Sequence, residues 1–132
     1  MLASFAIAIV FMTIISGCIT DGEMTLEEKA EYEVIDNLRE RNFDVIYELL
    51  NDDMKELATV EDLEDLWDAI TGEYGKIVDI DSENISTEEI TEEGIDYTSV
   101  FVPCEFDSGS KLDIQVVYDK DEMVAGLWFY PI

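Results

Sequence analysis

The sequence predicts an α+β domain in which N-terminal helices pack on one face of a curved, antiparallel, four-stranded sheet. Three observations carry that prediction. Apolar residues recur at helical spacing from Ala30 to Tyr74, and after Gly75 the period switches to two, with β-branched and aromatic residues taking over. The runs after Gly75 are joined by turns short enough to connect only antiparallel neighbours. Helices first and strands after, without βαβ alternation, place the chain in the α+β class.

Thr25-Leu26-Glu27-Glu28 opens the first helix as a capping box, in which hydroxyl and carboxylate each satisfy an orphan N–H. That helix runs to about Arg41, with Ala30, Val34, Ile35 and Leu38 on one side. Arg39 and Arg41 fall in its last turn, where cations suit the helix dipole. Asn42 reads as the cap of a second helix with Val45, Ile46, Leu49 and Leu50 facing inward. Asn51-Asp52-Asp53 breaks it, and Met54–Ala58 forms roughly one further turn. Thr59 caps the clearest helix. Its stripe is Leu63, Leu66, Trp67, Ile70 and Tyr74, with Glu61, Asp62, Glu64, Asp65 and Asp68 opposite. Gly72 and Gly75 end it.

Lys76–Asp81 reads as the first strand, continuing irregularly through Ile85–Thr91. Glu92-Glu93-Gly94 turns into Ile95–Phe106, and Asp107-Ser108-Gly109-Ser110 turns again. Lys111–Asp119 alternates, with Leu112, Ile114, Val116 and Tyr118 on one face and Asp113, Gln115 and Asp119 on the other. Lys120-Asp121-Glu122 leads into Met123–Tyr130. Cys104 sits inside an apolar strand and reads as a small buried hydrophobe.

Composition excludes several functions. Thirty-three acidic residues against seven basic ones give a net charge of −26, so nucleic acid is not a partner, because phosphate binding needs a basic face. Histidine is absent, which rules out Ser-His-Asp triads, Cys-His dyads and His-ligated zinc. Proton transfer would fall to a carboxylate, Tyr, Lys or Cys104. Asp79-x-Asp81-x-Glu83 opens like a calcium loop, but Asn84 stands where glycine is required and Ile90 where glutamate is. No metal and no cofactor is indicated.

The N-terminus carries its own signal. An uncharged apolar run from Leu2 closes on Ile15-Ser16-Gly17-Cys18, and every charged side chain follows it. This resembles the lipobox of prokaryotic lipoprotein signal peptides, which implies cleavage before Cys18 and a diacylglyceryl group on its thiol. The expected organisation is a signal peptide over 1–17, a lipidated linker over 18–24 and a single domain over 25–132. The expected location is the outer face of the cytoplasmic membrane. With this charge, attachment rests on the acyl chains alone. The six residues 19–24 that follow Cys18 reach at most about 20 Å, so the domain is expected close to the bilayer.

Asn37-Leu38-x-x-x-Asn42-Phe43-Asp44-x-Ile46, Leu63-x-x-Leu66-Trp67-x-x-Ile70, Gly75-Lys76-Ile77, Val102-Pro103-Cys104-Glu105-Phe106 and Val124-Ala125-Gly126-Leu127-x-Phe129 resemble the domain of unknown function 3887 family. The resemblance covers about residues 30–131 and implies a cone-shaped fold similar to nuclear transport factor 2. Such a cone leaves an apolar pocket, for which the wall candidates are Tyr32, Phe43, Trp67, Tyr97, Phe101, Trp128 and Tyr130. It carries no catalytic residue to transfer. Enzymes on this fold use a carboxylate in an apolar cavity, and Glu105 and Asp113 are the carboxylates embedded in apolar strands here. Strand alternation places both facing outward. The expectation is therefore a non-catalytic module for a small apolar ligand or a protein partner. The alternative is a small isomerase- or cyclase-type enzyme working through one of those two carboxylates.

Overall fold

The computed structural model describes residues 24–132. Cys18, with the whole lipobox, lies outside the described residues. Thr25 forms the capping box with Glu28 and starts α1 (Leu26–Lys29), which continues without a break through a π-helical stretch, Ala30–Ile35, into α2 (Asp36–Arg39). Ala30, Val34, Ile35 and Leu38 are buried, as the spacing predicts.

The helix stops at Arg41, which adopts a left-handed φ of 62°. The Arg41 N–H donates to the Leu38 carbonyl at 3.1 Å and the Asn42 N–H to the Asn37 carbonyl at 2.8 Å, a Schellman closure with arginine where glycine is usual. Asn42 belongs to this closure and makes no side-chain cap for α3 (Phe43–Leu49); its amide donates to Asn37 Oδ1 instead, at 3.1 Å. The expected cap is thus taken by the end of the preceding helix. Asn51 does cap, accepting from the Met54 N–H at 2.9 Å at the start of α4 (Asp52–Leu57). Thr59 and Asp62 form a reciprocal capping box on α5 (Val60–Tyr74). Leu63 and Trp67 are buried there and Ile70 and Tyr74 pack against the core, while Leu66 is turned outward.

Five strands follow, one more than expected: β1 (Ile77–Ile80), β2 (Ser86–Glu92), β3 (Ile95–Phe106), β4 (Lys111–Tyr118) and β5 (Val124–Pro131). All pairings are antiparallel. β1 and β2 lie end to end on the same edge of β3, β1 against its last residues and β2 against its first. The sheet is therefore four strands wide, with its first strand broken in two by the 3-10 turn Ser82–Asn84. That turn also removes Asp81 and Glu83 from the strand, so the three alternate carboxylates do not share a sheet face. Asp81 instead accepts from the Asn84 amide at 2.8 Å. Glu93 and Gly94 both have positive φ in the two-residue β2–β3 hairpin, as the right-handed strand twist demands.

One face of the sheet carries Val100, Val102, Cys104, Phe106, Leu112, Ile114 and Val116, which form a single core with the helices. Trp67 belongs to this core, with ring centroids 6.3 Å from Phe106 and 6.0 Å from Phe129. The alternate residues of β3, β4 and β5 point away from the helices. Among the described residues no helix is long and apolar enough to cross a membrane.

Candidate functional site

The sheet face turned away from the core is not a plain solvated surface. Tyr97 on β3, Gln115 and Val117 on β4 and Trp128 and Tyr130 on β5 all project from it, because each occupies the outward phase of its strand. The register sets Gln115 opposite both Phe101 and Trp128, and Asp113 opposite Tyr130. Ser99, on the same face, is fully buried, and its hydroxyl accepts a hydrogen bond from the Gln115 amide at 2.9 Å.

α4 closes one side. The Asn51 N–H donates to the Val124 carbonyl at 2.8 Å, and Leu50 forms a parallel bridge with Val124. That clip ties the α4 cap to the β5 edge and brings Met54 and Leu57 to the rim. The result is a cavity of about 470 Å³ walled by Met54, Leu57, Ile90, Tyr97, Val117, Trp128 and Tyr130, with Gln115 and the carboxylates Asp53 and Glu92 also in its wall. Leu57 is 80% exposed and Trp128 47%, although both are large apolar side chains. A Cβ added at Gly126 would collide with the Trp128 ring. Glycine at 126 is what lets the indole lie down on the sheet.

A second cavity, about 600 Å³, lies at the end of the helical layer, between the close of α2, the last turns of α5 and the start of β1. Arg39, Arg41, Lys76, Thr71, Trp67 and Asp107 are among its lining residues. Arg41 binds Asp68 at 2.7 Å and Glu64 at 3.4 Å, and its guanidinium lies 5.3 Å from the Phe43 ring centroid. The Asp68 hydrogen bond raises the Arg41 pKa further. Gly75, with φ 89°, makes the turn between α5 and β1, and a Cβ there would strike the Asp107 carboxylate.

The seven aromatic residues expected to share one pocket are divided by the sheet. Tyr97, Trp128 and Tyr130 meet in the outer cavity, and Phe101 stands on the same face beside Gln115. Trp67 lines the helix-side cavity. Phe43 is buried in the core, and Tyr32 is exposed on the first helix. Glu105 and Asp113 both lie on the outward face. Glu105 pairs across β3 with Asp79 and Lys111, in a small polar recess of about 70 Å³ that also holds Asp81. Cys104 is buried, and burial pushes its thiol up to about 12. Among the described residues no group of three or more Asp, Glu or Cys is arranged to hold a metal ion.

A family model described as a protein of unknown function, DUF3887, matches residues 32–127. The chain belongs to the DUF3887 family. No curated protein and no solved structure matches it. The DUF3887 span contains the whole lining of the helix-side cavity and most of the outer one, stopping just short of Trp128 and Tyr130.

Sequence reasoning missed the contributions of Met54, Leu57 and Gln115 to the outer cavity. Strand phase alone was enough to place Gln115 beside Trp128, once the β4–β5 register was known. It also read Arg39 and Arg41 only as helix-end cations, with nothing to connect them to Lys76.

Proposed function

We propose that this DUF3887 chain is a lipid-anchored, extracytoplasmic binding module with a cone-like fold similar to nuclear transport factor 2, and that it holds a small apolar molecule without turning it over. The observation that carries the reading is the convergence of Tyr97, Trp128 and Tyr130 with Met54 and Leu57 around one outer cavity. Its volume of about 470 Å³ falls in the range of small-molecule sites. Aromatic walls supply affinity by area removed from water, and the Gln115–Ser99 pair offers a polar group to orient a ligand. The Ile15–Cys18 lipobox supports the anchor. A ligand that partitions into the bilayer would then meet the cavity within a short linker's reach.

A neutral apolar dye titrated into the full-length protein tests the reading. Saturable binding is expected, weakened about tenfold or more by Trp128→Ala and left unchanged by Glu105→Gln and Asp113→Asn. Equal binding by Trp128→Ala would remove the outer cavity as the site. Turnover of a small carbonyl or steroid-like substrate that vanishes in either carboxylate variant would make the protein an enzyme.

A further inference from the structure

The chain contains seven cations in all, Lys29, Arg39, Arg41, Lys55, Lys76, Lys111 and Lys120, against thirty-three carboxylates. Three of the seven, Arg39, Arg41 and Lys76, line the helix-side cavity, with Asp107 as the one carboxylate among its described lining residues. The helix dipole accounts for Arg39 and Arg41 at the end of α2, but Lys76 belongs to another element, between the Gly75 turn and β1.

The three are not equally committed. Arg41 is engaged by Asp68 and Glu64 from the left-handed position that closes the helix, a conformation that costs energy for any residue with a Cβ. Among the described residues Arg39 makes one ion pair, a long one to Asp36 at 3.8 Å. Lys76 makes no ion pair among the described residues. Arg41 thus fixes the wall while Arg39 and Lys76 leave donors available. The wall also contains Trp67 and Ile77, so it is apolar where it meets the core. About 600 Å³ is far more room than an inorganic anion fills.

We propose that this cavity is a binding site for a small organic oxyanion, a phosphate or carboxylate on an apolar body, with Arg39 and Lys76 contacting the anion and the Trp67 edge contacting the body. The overall charge of −26 does not forbid it. Beyond roughly 8 Å, physiological salt screens the distant carboxylates; of the nearby ones, Asp68 and Glu64 are engaged by Arg41 and Asp107 stands in the wall.

Phenyl phosphate, benzoate and neutral phenol serve as probes, titrated into the full-length Trp128→Phe protein so that Trp67 is the remaining indole reporter. The expected result is a saturable Trp67 fluorescence change with phenyl phosphate or benzoate at millimolar concentration or below, and none with phenol. Whichever of the two anions binds more tightly assigns the headgroup. Lys76→Gln and Arg39→Gln should each weaken binding about five- to tenfold, and together more. Both side chains are exposed, so their loss leaves the core intact, and an unchanged circular dichroism spectrum checks this. Absence of saturation by either anion up to about ten millimolar, equal response to phenol, or anion binding unaltered in the double variant would each overturn the proposal. Neutral-dye binding at the outer cavity is read separately, so either site stands or falls without the other.

Discussion

Trp67→Ala probes the helix-on-sheet core most severely. The indole is 3% exposed and packs against Phe106 and Phe129 at 6.3 and 6.0 Å. A tryptophan side chain removes on the order of 200 Å² from water, worth about 5 kcal/mol at 25 cal/mol per Å², and this is an upper bound because unfolded chains are partly compact. Alanine retains part of that burial. The void left behind adjoins the Arg39–Lys76 cavity, so water enters it and the cost of an empty cavity is only partly incurred. We expect a loss of about 3–4 kcal/mol, a large share of the 5–15 kcal/mol typical of a domain. Urea unfolding followed by far-ultraviolet circular dichroism, with Trp128 emission as a second probe, reads the loss as a lower midpoint at unchanged slope. A loss below about 1 kcal/mol would mean that α5 does not pack on the sheet through this residue, and the core described above would be wrong.

Other expectations follow from single residues. The Cys104 thiol is pushed by burial from an ordinary 9.0 to about 12, a folded value above the unfolded one, so its contribution to stability is intact below pH 9 and lost as pH rises toward 12. Between about pH 7 and pH 10.5 the unfolding free energy from urea titration should therefore fall by roughly 2 kcal/mol more in the wild type than in Cys104→Ala; equal falls would place the thiol in water. Gly75→Ala should destabilise by about 1–3 kcal/mol, because φ 89° suits glycine and the added Cβ meets Asp107. Gly72→Ala, with open space around it, should instead stabilise α5 by about 0.5–1 kcal/mol, and matching signs in the same urea assay would contradict the turn geometry. Cys18→Ser should leave an uncleaved, unlipidated precursor, visible by mass; maturation to the wild-type mass would dispose of the lipobox.

The sequence made the helices and strand phases legible because burial is periodic. Ala30, Val34, Ile35, Leu38, Leu63 and Trp67 are core residues by spacing alone, as are Leu112, Ile114 and Val116. Leu66 shows the limit: it satisfies the stripe yet is turned outward, while Leu63 and Trp67 beside it are buried. The break between β1 and β2 is encoded by the polar run Asp81-Ser82-Glu83-Asn84, which reads equally as irregular strand or turn until β3 is seen to pair with both pieces. Residue type identified aromatic wall candidates but not their side of the sheet. Phe43 and Trp128 look alike in sequence, and only long-range packing sends one into the core and the other onto Gly126. The cationic cavity was illegible for a similar reason. Arg39, Arg41 and Lys76 meet only because α5 packs back on α3, and so returns past the end of α2, before β1 begins.

The two tryptophans give the most direct test of the central claim, since Trp128 lies in the outer cavity and Trp67 in the wall of the other. Full-length protein carrying fluorotryptophan should show one fluorine NMR resonance for each, assigned by loss of one peak in Trp128→Phe. Titration with the neutral apolar dye should move the Trp128 resonance saturably and leave that of Trp67 in place. Movement of Trp67 alone, or of neither resonance at saturating dye, would contradict a binding module built on the outer face of the sheet.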